Sequence, residues 1–224
     1  MDIKNHNNED SLDAKNNDDD FKSQFYQYYE LTSVARNLLF YISEAIDDPR
    51  YYVDMIHRIK SASSRDVIYL YINSPGGSLS TGVQLINAMH SSQAKTVTVL
   101  EAEASSMGAI IFLAGDEFIV NDNCLIMFHN FNGVIGGKGH EVLAQATATV
   151  DWYSKIMKKI CYPFLSLEEI SKVLKGEDIW LHSEEIRIRL TKMVDDLNKK
   201  PKTKTKKKPS KKKETAKQKV VKEK

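Results

Sequence analysis

Short apolar runs and amphipathic stretches alternate along the middle of the chain. Leu38-Leu39-Phe40-Tyr41-Ile42 reads as a short buried strand. Val67-Ile68-Tyr69-Leu70-Tyr71-Ile72 is a stronger one, nearly continuous and rich in β-branched and aromatic residues, which suits a sheet covered on both faces. Between them Asp47-Asp48-Pro49 breaks the chain, and 51–60 places Tyr52, Met55, Ile56 and Ile59 on one helical face. The second run ends in the compact turn Asn73-Ser74-Pro75-Gly76-Gly77. A helix over 80–90 follows, with Val83, Ile86 and Met89 as its buried stripe. A strand at 96–100 then leads through Ala104-Ser105-Ser106-Met107-Gly108 into the apolar run 109–114.

Extended segments at 117–120 and 125–128 come next, separated by Asn121-Asp122-Asn123-Cys124. After His129 there is a Gly-rich loop, 133–139, and a long helix of mixed polarity over about 141–160. The spacing predicts another helix over 167–174, started by Ser166 with Glu169 three residues on, the capping-box pattern. A short apolar segment, 178–181, precedes a last helix over about 183–198. Repeated strand, turn and helix predict an α/β fold with a mainly parallel sheet.

The flanks differ from this middle. Residues 1–24 are rich in Asn and Asp with little apolar content, and are expected to stay disordered. Aromatic density rises at Phe25, Tyr26, Tyr28 and Tyr29, so the domain is expected over 25–198. The stretch 199–224 holds fourteen lysines against two glutamates and is expected to be a disordered, solvated tail. The net charge of +2 over 224 residues therefore hides a mildly acidic middle and a basic end. No aromatic residue is interleaved in that tail for base stacking, so it reads as a solubilising or weakly tethering segment rather than a nucleic-acid site.

Composition excludes several classes. No apolar run approaches the roughly 20 residues that cross a bilayer, and the acidic N-terminus is unlike a secretory signal. Cys124 and Cys161 have no metal or redox spacing, and the six histidines show no metal-ligand pattern. No metal or other cofactor is expected, and a reducing, cytoplasmic compartment fits.

Three features could carry chemistry. Gly76-Gly77 follows a buried strand, where open α/β sheets place ligands, and glycine lets a main-chain N–H approach a substrate. Ser105 and Ser106 stand where a strand turns into a buried helix, so one hydroxyl could act as a nucleophile or simply cap the helix. His129 ends the apolar run Cys124-Leu125-Ile126-Met127-Phe128. Serine needs a base to take its proton, the base needs a third group to orient it, and the oxyanion needs two donors. The N–H groups of Gly77 and Met107 could be those donors. Asp116, Asp122, Asp178 and Asp195 are all candidates for the third group.

In order along the chain, Tyr69-Leu-Tyr-Ile-Asn-Ser-Pro-Gly-Gly77, Ala104-Ser-Ser-Met-Gly-Ala109 with Leu113-Ala-Gly115, and Ile126-Met-Phe-His129 resemble the proteolytic subunit of the Clp protease family. The resemblance runs from about Leu38 to Asp195. It implies a serine endopeptidase acting through an acyl-enzyme, with Ser106 as nucleophile, His129 as base, Asp178 as the acid ahead of Trp180-Leu181 and Glu185, and Gly77 and Met107 as oxyanion donors. It also implies a crotonase-like spiral of ββα units with a protruding handle helix at 141–160. Heptameric rings of identical subunits, unfolded-protein or peptide substrates and a separate AAA+ unfoldase are implied with it.

The chain departs from that pattern in places. Asn130-Phe131 stands where the family has Gln-Pro, which bears on substrate preference. Glu177 stands where Arg is usual, which bears on ring assembly. The family's Gly-Leu-x-Asp is replaced by the segment ending in Asp195, and both charged tails are additions. A dedicated processing protease of viral type on the same scaffold and a catalytically silent ring subunit are the alternatives.

Overall fold

Leu38, Phe40 and Ile42 alternate with less buried neighbours, and Ile68, Leu70 and Ile72 do the same. That two-residue period sets the sheet, because strand side chains point to opposite faces in turn. The computed structural model describes residues 27–31 and 35–199. The acidic segment 1–24, Phe25, Tyr26 and the Lys-rich stretch beyond residue 199 lie outside the described residues.

Seven strands make one sheet among the described residues: β1 (Gln27–Leu31), β2 (Asn37–Ile42), β3 (Val67–Ser74), β4 (Lys95–Ser105), β5 (Glu117–Val120), β6 (Leu125–Phe128) and β7 (Ile179–His182). Their order is β1-β2-β3-β4-β6-β7, with β5 also on β4. The β2–β3, β3–β4, β4–β5 and β4–β6 pairs are parallel, while β1 and β7 pair antiparallel at the two ends. The helices are α1 (Val53–Ser61), α2 (Leu79–Ser91), α3 (Met107–Leu113), α4 (Gly139–Ile156), α5 (Leu167–Leu174) and α6 (Ser183–Lys199).

Local chemistry explains most of these boundaries. Asp48 accepts from the Arg50 N–H and starts a 3₁₀ turn, Pro49–Tyr52, that leads into α1. Met55, Ile56 and Ile59 of α1 are buried together with Tyr52, the predicted stripe. The Ser78 hydroxyl caps α2 by accepting from the Thr81 N–H. Both bonds of the capping box at Ser166 and Glu169 form at the start of α5. All seven residues of α3 are buried, so this helix is held by packing on every side.

The structure differs from the sequence expectation at several points: β1 was not expected, and in α2 Leu85 is buried with Ile86 and Met89 while Val83 is half-buried. The strand expected to stop at Leu100 continues to Ser105: residues 97–100 face β5 and residues 103–105 face β6. Glu101 and Glu103 interrupt the apolar run without interrupting main-chain pairing. The segments 117–120 and 125–128 both pair with β4. The second face of β2 and β3 is only half covered, and Tyr41 stacks on Tyr71 there with ring centroids 4.6 Å apart. Finally, the long helix over 141–160 divides. It is α-helical to Ile156 and then forms a π turn, Met157–Cys161, that sinks Met157 and Cys161 into the core.

Candidate active site

The turn after β3 is clamped before it reaches the site. The Ser74 hydroxyl donates to the Glu44 carbonyl at 2.7 Å and accepts from the Gly76 N–H at 3.2 Å. The Ile46 N–H donates to the Gly76 carbonyl, and the Ser78 N–H to the Ile46 carbonyl. These bonds hold Gly76 at φ +94° and Gly77 at φ +140°, conformations that glycine alone adopts at low cost. A Cβ on Gly76 would lie 2.5 Å from the Ser105 carbonyl oxygen and 2.7 Å from Ser106 Cβ. One on Gly77 would lie 2.1 Å from the Ile46 carbonyl oxygen. Gly76 therefore lets its turn lie directly against the Ser105–Ser106 turn, and Gly77 lets the same turn lie against Ile46.

The two serines are not equivalent. Ser105 is the last residue of β4, is 2% exposed, and donates its hydroxyl to Glu103 at 2.6 Å. Ser106 stands between β4 and α3 at φ 55°, ψ −119°. A non-glycine residue held in such a region costs about 1–3 kcal/mol and marks a site where geometry outranks local stability. Its N–H donates to the Met127 carbonyl at 2.9 Å, and its carbonyl accepts from the Ala109 and Ile110 N–H groups. Its side chain makes no capping bond to α3. The capping alternative is thus not realised, and the Ser106 hydroxyl is left facing a cavity.

That cavity, about 990 Å³, is bordered by Gly77, Ser106, Met107 and His129 together. Phe131, Trp152 and Tyr153 give it an aromatic wall. None of its lining residues is Asp, Glu, Lys or Arg. The Gly77 and Met107 N–H groups donate no hydrogen bond among the described residues. His129 follows β6 and is half-buried, and its carbonyl accepts from the Tyr153 hydroxyl at 2.7 Å.

Asp178 is exposed and immediately precedes β7. Phe128 faces Ile179 in the antiparallel β6–β7 pair, so one further step of the register brings Asp178 opposite His129. That register is pinned at its other end, where the Cys124 N–H donates to the Ser183 hydroxyl at 2.7 Å. The other three candidate acids are engaged elsewhere. Asp116 accepts from the Thr96 N–H at 2.8 Å, and Asp122 pairs with Arg187 at 2.5 Å. Asp195 lines a different cavity, between β5 and α6.

No hydrogen bond among the described residues links Ser106 Oγ to His129, or His129 to Asp178. Ser106 and His129 share one cavity and the strand register sets Asp178 beside His129, with the relay unclosed; catalytic hydrogen bonds commonly tighten only around a bound substrate. No group of three or more His, Cys, Asp or Glu residues able to hold a metal ion occurs among the described residues. Both thiols are buried, and burial pushes their ionisation up, so neither competes as a nucleophile.

Tyr153 has no signal in the sequence, and Gly76 and Asn130 stand out there without the contacts that give them their roles. The steric demand on Gly76 was hidden behind the role given to its neighbour Gly77, although the doubled glycine was visible. Tyr153 and Asn130 touch the site through partners far away in the chain. The Asn130 side-chain amide donates to the Leu174 carbonyl at 3.1 Å and accepts from the Phe131 N–H at 3.0 Å.

A mainly parallel α/β sheet that delivers a positive-φ serine, a histidine and a glycine turn to one cavity narrows the chain to a class of hydrolase-like scaffolds. Comparison with known proteins specifies it further. Residues 22–189 match the family model described as Clp protease, and the chain belongs to that family and has its fold. It is similar to the "ATP-dependent Clp protease proteolytic subunit 1" of Leifsonia xyli, 37% identical over 86 residues that make up 38% of this chain and 43% of the relative. It is also similar to the protein of the same name from Frankia casuarinae, 32% identical over 124 residues, 54% of this chain and 57% of the relative. The "ATP-dependent Clp protease proteolytic subunit" of Borreliella afzelii is 31% identical over 119 residues, 50% and 59%. The chain spans about half the length of these relatives.

Proposed function

We propose that this chain is the proteolytic subunit of a Clp-type compartmental protease, a serine endopeptidase with Ser106 as nucleophile, His129 as general base and Asp178 as the orienting acid. Ser106 Oγ attacks the scissile carbonyl carbon while His129 takes its proton, and the carbonyl oxygen becomes an oxyanion facing the Gly77 and Met107 N–H groups. The C–N bond then breaks, His129 returns the proton to the leaving amine, and an ester remains on Ser106. Water, deprotonated by His129, attacks that ester, the C–O bond to Ser106 breaks, His129 returns the proton to Ser106 Oγ, and the carboxylic acid is released. Asp178 holds the imidazole with the correct nitrogen toward serine. An uncharged cleft wall suits neutral, largely apolar peptide segments.

The observation that carries this reading is the strained, uncapped Ser106 in the same cavity as His129 and two unengaged main-chain donors. The peptidase domain spans 25–198, with the acidic segment and the Lys-rich tail as appendages. Among the described residues no helix is long and apolar enough to cross a membrane, which fits action in the cytoplasm. Leu143, Val150 and Trp152 leave apolar surface exposed on α4, which supports assembly with further copies in heptameric rings, fed by an AAA+ unfoldase.

A fluorophosphonate should label Ser106 covalently, and Ser106→Ala should abolish both labelling and hydrolysis of a small fluorogenic peptide while leaving fold and assembly size unchanged. The loss expected for removing such a nucleophile is about 10⁴-fold or more. Absence of labelling in the folded, assembled protein would defeat the proposal. A catalytically silent ring subunit is the competing reading, favoured by the unclosed relay, and turnover by the pure chain would eliminate it.

A further inference from the structure

His129 is held from its main chain by a helix that otherwise scarcely touches the body of the protein. Of the residues of α4, only Tyr153 and Ile156 are buried. The Thr147 and Thr149 hydroxyls turn back onto carbonyls of the same helix, and Lys155 pairs with Asp151 within it. Apart from Glu141, which accepts from the Lys138 N–H at the helix's own N-terminal cap, the hydrogen bond from the Tyr153 hydroxyl to the His129 carbonyl, at 2.7 Å, is the one that a side chain of α4 makes outside the helix among the described residues.

Packing alone does not require that hydroxyl. The Tyr153 ring is 4% exposed and meets the Phe131 ring edge-on at 5.4 Å between centroids. A phenylalanine would satisfy those contacts. Burial pushes the phenol's ionisation well up, so the group stays an O–H donor. Its acceptor belongs to the residue whose imidazole must reach Ser106, just beyond the last paired residue of β6. A displacement of about 1 Å in such a group can cost about 10²-fold in rate.

We propose that Tyr153 is a positioning residue for the site. Its hydroxyl fixes the main chain of His129, and through it the location of α4 is tied to the placement of the imidazole. This rests on the assignment of His129 as the general base. It makes the seating of α4, rather than the sheet alone, decide whether the base stands where Ser106 can use it.

Tyr153→Phe removes the hydroxyl and keeps the ring. In the full-length assembled protein, kcat on a small fluorogenic peptide should fall about 10-fold with KM changed by less than about two-fold, the pattern of misplaced chemistry rather than lost binding. The rate of Ser106 labelling by a fluorophosphonate should fall by the same factor, with circular dichroism and assembly size unchanged. Wild-type kcat and labelling rate in Tyr153→Phe, or a raised KM with kcat intact, would overturn the proposal while leaving the peptidase assignment standing. A wild-type protein that neither labels nor turns over would instead remove the assignment itself, and the positioning role with it.

Discussion

The two helices nearest the site are built in opposite ways. In α3, which begins beside Ser106, all seven residues are buried. In α4, which reaches His129 through Tyr153, two of eighteen are buried, and Leu143 and Val150 are 69% and 54% exposed. The proposed nucleophile, Ser106, and its neighbouring N–H groups are therefore fixed by the same packing that makes the chain fold. The proposed acid precedes a short edge strand, and the proposed base, although it follows the core strand β6, is held at its carbonyl by a half-free helix and at the next residue by a side-chain bond. One half of the site is set by the core and can store backbone strain. The other half is set by contacts that can be loosened one at a time without unfolding the chain.

The largest effect should come from disturbing the core half. Gly76→Ala places a methyl group 2.5 Å from the Ser105 carbonyl oxygen at a φ of +94°. Neither the residue nor its neighbours can yield without moving the Ser106 turn. Stability should fall by about 2–4 kcal/mol, measured by chemical denaturation, and peptide hydrolysis by about 10²-fold or more. A variant that stayed stable and active would show that the Ser106 turn is not held by the core as described.

Legibility followed the same division. The α5 capping box and the α1 stripe lie within a few residues of one another, so local chemistry announces them. Gly76-Gly77 and the Ser-Ser turn were visible too, but residue chemistry by itself did not separate the two serines, and only the family resemblance pointed to Ser106. Ser105 then turns inward to Glu103, and Ser106 takes the strained conformation. The extension of β4 past Leu100 was concealed because main-chain pairing tolerates Glu101 and Glu103. Tyr153 was silent, and Asn130 showed only as a departure in the cleft, because their partners lie 24 and 44 residues away. A tyrosine on a helix of mixed polarity looks the same whether its hydroxyl meets water or a main-chain carbonyl.

A second test separates stability from chemistry. Asp66, just before β3, is buried and accepts from the Arg36 guanidinium, the Ser63 N–H and hydroxyl, and the Arg36 N–H. The guanidinium, then the Ser63 N–H, hold its carboxyl well below the usual carboxylate range. A depressed carboxylate stabilises the fold above its unfolded pKa, about 3.9, and that stabilisation is lost as pH falls from there toward the folded value. Asp66→Asn should cost about 2 kcal/mol at neutral pH. The gap from wild type should narrow below about pH 4 in denaturation curves, while kcat at neutral pH stays within about two-fold. A fall in kcat matching the loss of stability would mean that core and site are not separable.

The smallest change tests the peripheral half from the side opposite Tyr153. Asn130 ties the residue after His129 to the last carbonyl of α5, and the chain from α5 runs through Lys175, Gly176 and Glu177 to Asp178. The amide thus spans the two segments that carry the proposed base and acid. Asn130→Asp keeps the acceptor for the Phe131 N–H and loses the donor to Leu174, so it isolates that span. Replacing a donor with a carboxylate beside a carbonyl should separate the segments slightly, lowering kcat about 3–5-fold. The thermal midpoint should change little, because Asn130 and residues 175–178 lie outside the buried core. Combined with Tyr153→Phe, the two losses should add if each tether acts independently on His129. A combined effect no greater than the larger single one would mean that both bonds hold a single rigid element, and that the peripheral half moves as a unit rather than contact by contact.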